Sequence, residues 1–162
     1  PGRPDSSGPA VAESVTGSPK TQLVRSPVWS RYHAFMAELE IITNLARDAA
    51  GLDLLILYGS RARGDVHPHS DWDLGFLAAP SFDRDEFLAR LVLALETEAI
   101  DLVDLSRAGA LLRFRAAAEG RALFARGPEQ FDRFWMEAVT FWCELQPVIQ
   151  REYDAILAGV RG

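Results

Sequence analysis

The chain has 162 residues, 48% of them hydrophobic, and a formal net charge of -6. That length fits one domain with a tail, and the apolar share is enough to build a core. The acidic balance suits neither sequence-independent nor sequence-specific DNA binding, which needs Lys and Arg against phosphates, and the lone Cys143 allows no internal disulfide and no zinc site built on cysteine pairs.

Residues 1–25 are rich in Pro, Gly, Ser and Thr and have few large apolar side chains. Such a stretch cannot bury enough surface to fold, so disorder is expected over 1–27. A folded domain over 28–126 and a helical tail over 127–162 are expected to follow. Phe35, Met36, Leu39, Ile42 and Leu45 recur at helical spacing, which predicts a helix from a cap at Ser30 to Ala50, stopped by Gly51. The run from Leu54 to Tyr58 is short, apolar and ended by Gly59, and predicts a buried strand. The polar stretch from Arg61 to Ser70, with Gly64 and Pro68, predicts a turn and a loop in which His67 and His69 are solvated. Asp71 to Ala78 predicts a second strand, Phe82 to Glu98 an amphipathic helix, and Ile100 to Leu105 a third strand. Ala108 to Glu119 predicts a helix ended by Gly120, and Arg121 to Ala125 a short edge strand. Beyond Pro128, the residues Phe131, Phe134, Trp135, Ala138, Trp142, Leu145 and Ile149 fall on one helical stripe, which Pro147 should kink or divide. The stripe reads first as core and second as an interface, to a partner or to a second copy. No apolar run reaches membrane-spanning length and no secretory segment opens the chain, so the expected location is the cytoplasm.

The chemistry gathers around Gly59-Ser60 and Ser70-Asp71-Trp72-Asp73-Leu74. Gly59 stands where a buried strand must turn, and without a Cβ it lets backbone approach a phosphate. Ser60 would open a short helix whose first N–H groups favour anions. Asp71 and Asp73 are two apart on a predicted strand, so both carboxylates share a face, with Trp72 packed on the other. Two such carboxylates repel unless a cation lies between them, and oxygen ligands that leave room for phosphates suit magnesium. Asp101, inside the apolar run Ile100 to Val103, is the candidate third carboxylate; Asp104 faces the other way and is the weaker choice. Arg61 and Arg63 flank the turn and are read either as phosphate contacts or as loop residues, one of them paired with Asp65. Tyr58 is assigned to the core.

The segments Gly59-Ser60-Arg61-Ala62-Arg63-Gly64, Ser70 to Leu74 and Ile100 to Leu105, closed by Glu119 to Phe124, resemble the minimal nucleotidyltransferases, the MNT branch of the polymerase-β superfamily. The resemblance spans roughly Leu39 to Ala125. It implies an α/β (α+β) fold, a small mixed sheet with helices on one side, plus a C-terminal amphipathic helical tail. It implies two Mg2+ ions held by Asp71, Asp73 and Asp101, and ATP as the donor, cradled by Gly59, Ser60, Arg61 and Arg63. Many members of that branch are antitoxins of HEPN ribonuclease toxins, which implies AMP transfer to a toxin tyrosine, with the toxin a separate chain and the assembly either a hetero-oligomer or a homodimer. Two alternatives stay open: a small-molecule nucleotidyltransferase of the aminoglycoside-modifying type, and an antitoxin that acts by binding alone.

Overall fold

The computed structural model describes residues 27–65 and 70–160. The expected disorder ahead of Pro27 and the reading of His67 and His69 as loop residues lie outside the described residues. Nine elements follow in order: α1 (Pro27–Asp48), β1 (Leu52–Leu57), α2 (Gly59–Arg63), β2 (Trp72–Ala78), α3 (Arg84–Leu95), β3 (Ile100–Asp104), α4 (Ala110–Glu119), β4 (Arg121–Ala125) and α5 (Gln130–Val160).

Several ends differ from the expected ones for local reasons. The first helix starts at Pro27 rather than after Ser30, because proline is preset for a helix's first turn and its missing N–H is not needed there. Asp83 caps α3 by accepting hydrogen bonds from Asp85 N and Glu86 N at 3.1 and 2.9 Å, which moves the helix start from Phe82 to Arg84. Phe82 packs instead against the rings of Phe76 and Phe87. Met36, expected on the buried stripe of α1, is exposed.

The sheet runs β3-β2-β1-β4, with β1 antiparallel to both neighbours and β2 parallel to β3. The parallel pair is joined through α3, as a parallel connection requires. Strand β1 is apolar at nearly every position, so both of its faces need cover. Leu55 and Leu57 join Trp72, Leu74, Phe76 and Leu102 against α1 and α3. Leu54 and Ile56 join Ala116, Ala117, Phe134 and Ala138 of α4 and α5 on the other face. Helices therefore cover both faces of the sheet, not one side as the family resemblance implied.

The tail helix is part of this core in its first half only. Phe134 and Ala138 are 1% and 0% exposed, and Trp142 stacks on Phe114 of α4 with ring centroids 5.5 Å apart. Trp135 leaves the expected stripe and is exposed, as are Val148, Ile149 and Ile156 further along. Pro147 does not divide α5. It and Cys143, whose carbonyl loses its usual N–H partner, are both exposed, so water can take that bond.

Candidate active site

The end of β1, the turn into α2, the starts of β2 and β3 and one face of α4 enclose an open cleft of about 550 Å³. Tyr58, Gly59, Ser60 and Arg63 form one wall, Asp73 and Asp101 the floor, and Leu112, Arg115 and Glu119 the other wall. Gly59 has φ of +72°, a left-handed value that favours glycine. A Cβ there would collide with the Asp73 carboxylate, so the bend and the first acidic strand touch. Among the described residues no side chain caps the first turn of α2, which leaves its opening N–H groups open to an anion.

Asp73 and Asp101 are direct partners in the parallel register of β2 and β3. Side chains of paired residues in neighbouring strands point to the same face. Asp101 is exposed, because β3 is an edge strand; the burial expected from its apolar surroundings is not found, and water keeps its charge solvated. Asp71 lies one residue before β2, is exposed, and is not among the residues lining the cleft. Its charge still reaches the site. Burial, then Asp101, then Asp71 push the Asp73 carboxyl above its ordinary value of 3.8, with Arg63 and Arg61 opposing. Among the described residues no three His, Cys, Asp or Glu side chains converge closely enough to hold a metal ion on their own. A hard cation that keeps waters and takes one or two carboxylates plus phosphates does not need three. The negative charge on Asp73, only partly offset by Arg63 and Arg61, is what such a cation would relieve.

Tyr58 is buried at 7% exposure, as its expected core role requires, yet it also lines the cleft. Burial, then Asp101, then Asp73 push its phenol up to about 12, which leaves it a neutral hydrogen-bond donor beside the carboxylates.

The two arginines part company. Arg61 turns away from the cleft. Its Nε and Nη2 donate to Ser70 O at 3.0 and 2.7 Å, Nε also donates to Asp71 O at 3.2 Å, and the guanidinium lies 4.2 Å over the Trp72 ring. That clamp fixes the segment leading into Asp71 and Asp73. Trp72 stacks on Phe35 of α1, as its expected core role requires. Arg63 does face the cleft, held by Glu119 at 2.8 Å and Asp65 at 3.4 Å. Asp104 sits apart, accepting from Ser106 N and Oγ at 2.9 and 2.6 Å. Sequence reasoning missed Leu112, Arg115 and Glu119. Their spacing of three and four puts them on one helical face, but nothing in the sequence says which face meets the cleft.

A family model described as polymerase beta, nucleotidyltransferase, matches residues 40–129. A protein adenylyltransferase MntA from Shewanella oneidensis is 33% identical over 126 residues, covering 75% of this chain and 88% of that protein. A protein adenylyltransferase MntA from Aphanizomenon flos-aquae is 25% identical over 138 residues, covering 75% and 89%. A crystal structure of a toxin-antitoxin with AMP-PNP matches with a TM-score of 0.64 at 29% identity, over 74% of this chain and 98% of that one. A rebuilt structure of tri-AMPylated Shewanella oneidensis HEPN toxin in complex with MNT antitoxin matches with a TM-score of 0.61 at 26% identity, over 76% and 98%. No helix among the described residues is long and apolar enough to cross a membrane.

Proposed function

This chain belongs to the polymerase-β nucleotidyltransferase family, and from that premise we propose that it is a protein adenylyltransferase acting as an antitoxin. It moves AMP from ATP onto a hydroxyl, a tyrosine, of a HEPN-domain toxin and so silences it. Residues 28–126 form the transferase domain and 127–162 the helical tail, and the protein works in the cytoplasm. The observation that carries the reading is the pairing of Asp73 with Asp101 at the floor of a cleft whose wall is the Gly59-Ser60 bend.

The chain's own residues divide the work. Gly59 and Ser60 seat the β- and γ-phosphates with backbone N–H groups and a hydroxyl, and Arg63 adds a cation at the same wall. Asp73 and Asp101, with Asp71 at the rim, are the residues that would hold magnesium, whose bound charge supplies phosphate neutralisation and a more acidic acceptor hydroxyl. The acceptor oxygen forms a bond to the α-phosphorus while the bond to the bridging oxygen breaks. Pyrophosphate leaves with that electron pair, and the hydroxyl proton passes to solvent through Asp101, the more hydrated carboxylate. Arg61 takes no phosphate in this scheme; it positions Asp71 and Asp73 through the backbone ahead of them.

The direct test incubates the purified chain with Mg2+, ATP labelled at the α-phosphate, and a HEPN-domain protein from the same genome. Label on a tyrosine of that protein is expected. Its absence with every nucleoside triphosphate would refute the reading.

A further inference from the structure

Leu112 and Arg115 line two hollows at once. One is the carboxylate cleft; the other is an apolar groove of about 440 Å³ between the first turns of α4 and the later turns of α5, walled by Leu111, Leu145 and Ile149. Leu111 and Ile149 are 47% and 37% exposed. They are aliphatic side chains on two separate helices, turned towards one hollow that no described residue fills. Exposed apolar surface gathered beside a cleft is the kind of surface that binding sites use.

Its place along α4 says what it holds. Leu112, Arg115 and Glu119 share one face of the helix. Glu119 is bridged to Arg63 beside the phosphate bend. Leu112 lies roughly 10 Å further along the axis, at 1.5 Å per residue. In-line transfer brings the entering oxygen in opposite the leaving pyrophosphate. With the triphosphate seated at Gly59, Ser60 and Arg63, the entering side is the Leu112 end, where the groove opens. Arg113 and Arg63 are paired with Glu137 and Glu119. Arg115, at the junction of the two hollows, is exposed and has no acidic partner among the described residues.

We propose that this groove seats the segment of the acceptor protein that bears the modified hydroxyl. Apolar side chains of that segment lie against Leu111 and Ile149, and a carboxylate of the same segment meets Arg115. The proposal rests on the AMP-transfer reading and adds to it the acceptor's route into the cleft.

The test compares the full-length chain with its Leu111→Glu, Ile149→Glu double variant, using ATP, Mg2+ and the HEPN-domain protein as acceptor. The acceptor KM is expected to rise at least about tenfold, as when apolar anchors leave an interface, while the KM for ATP stays within about twofold. An unchanged acceptor KM overturns the proposal. A raised ATP KM instead gives the groove to the donor's base, and an altered oligomeric state with the acceptor KM intact gives it to a second copy of this chain; either result overturns it. If circular dichroism shows the double variant misfolded, Leu111→Ser, Ile149→Ser takes its place. Acceptor affinity measured by calorimetry without ATP keeps the two failures apart. Binding that weakens in the variant supports the groove even where no AMP is transferred, and absence of transfer by the unaltered chain counts against the enzymatic reading alone.

Discussion

The Cα of Gly59 points its missing side chain straight at the carboxylate of Asp73. A methyl group there would have to displace that carboxylate, and the left-handed backbone at Gly59 would be strained as well. The Gly59 bend and the strand that carries Asp73 are thus fitted to each other at a distance that only glycine allows.

Gly59→Ala is accordingly expected to lower AMP transfer by at least about a hundredfold, since a shift near 1 Å in a reacting group costs that much. The cost in stability should stay near 1–2 kcal/mol, the usual size of left-handed strain at a non-glycine residue. Kinetics and thermal unfolding of one preparation give both numbers. A variant with near-normal turnover would show that Asp73 does not need its present position.

The Asp73 carboxyl holds its proton above the ordinary 3.8 because burial and two neighbouring aspartates disfavour its charge. The sign of the linkage follows. The folded chain binds this proton more tightly than the unfolded chain, so the ionised group destabilises the metal-free fold at neutral pH, and that penalty fades as pH falls through the folded pKa towards the unfolded one. Asp73→Asn is expected to raise Tm in EDTA at pH 7, and the advantage over the unaltered chain should shrink in acid. Mg2+ should raise the Tm of the unaltered chain and leave Asp73→Asn nearly unmoved. A variant that melts below the unaltered chain in EDTA at pH 7 would contradict this account.

Arg61 joins α2 to the backbone ahead of β2 through Ser70 and Asp71. Arg61→Ala is expected to cost about 1–3 kcal/mol, the range for losing charge-assisted hydrogen bonds. It should raise the Mg2+ concentration needed for half-maximal transfer while the KM for ATP moves little. Arg61→Lys should not rescue it, because one ammonium cannot copy a planar fork. A large rise in the KM for ATP with normal Mg2+ dependence would mean that Arg61 contacts the nucleotide after all.

The Asp71→Asn, Asp73→Asn double variant separates catalysis from contact. It is expected to transfer no AMP and, when co-expressed with the toxin, to lose protection of growth. Full protection without transfer would mean that the antitoxin works by binding alone.

The pattern of short apolar strands and amphipathic helices makes the strands and the longer helices legible in the sequence, whereas the strand order β3-β2-β1-β4 and its parallel pair are set by tertiary pairing that no local pattern encodes. The cleft was half legible. Gly59, Ser60, Asp73 and Asp101 declare themselves through a local motif and a period-two strand. The α4 wall does not, because which helical face meets the cleft is decided by packing against Phe134 and Ala138, far along the chain. The exposure of Asp101 is not legible for a related reason: an apolar run looks alike in an edge strand and a central one. Arg61 and Arg63 stand two apart in a single short helix, and only tertiary contacts with Trp72 and Glu119 give them different tasks.

Asp73 and Asp101 sit on the one parallel strand pair of the sheet, so they meet only after α3 has carried the chain across. Parallel pairing is formed late and non-locally, and a half-made chain cannot offer both ligands at once. The carboxylate pair therefore doubles as a gauge of completed folding: a nascent or partly melted copy cannot bring the two side chains next to each other.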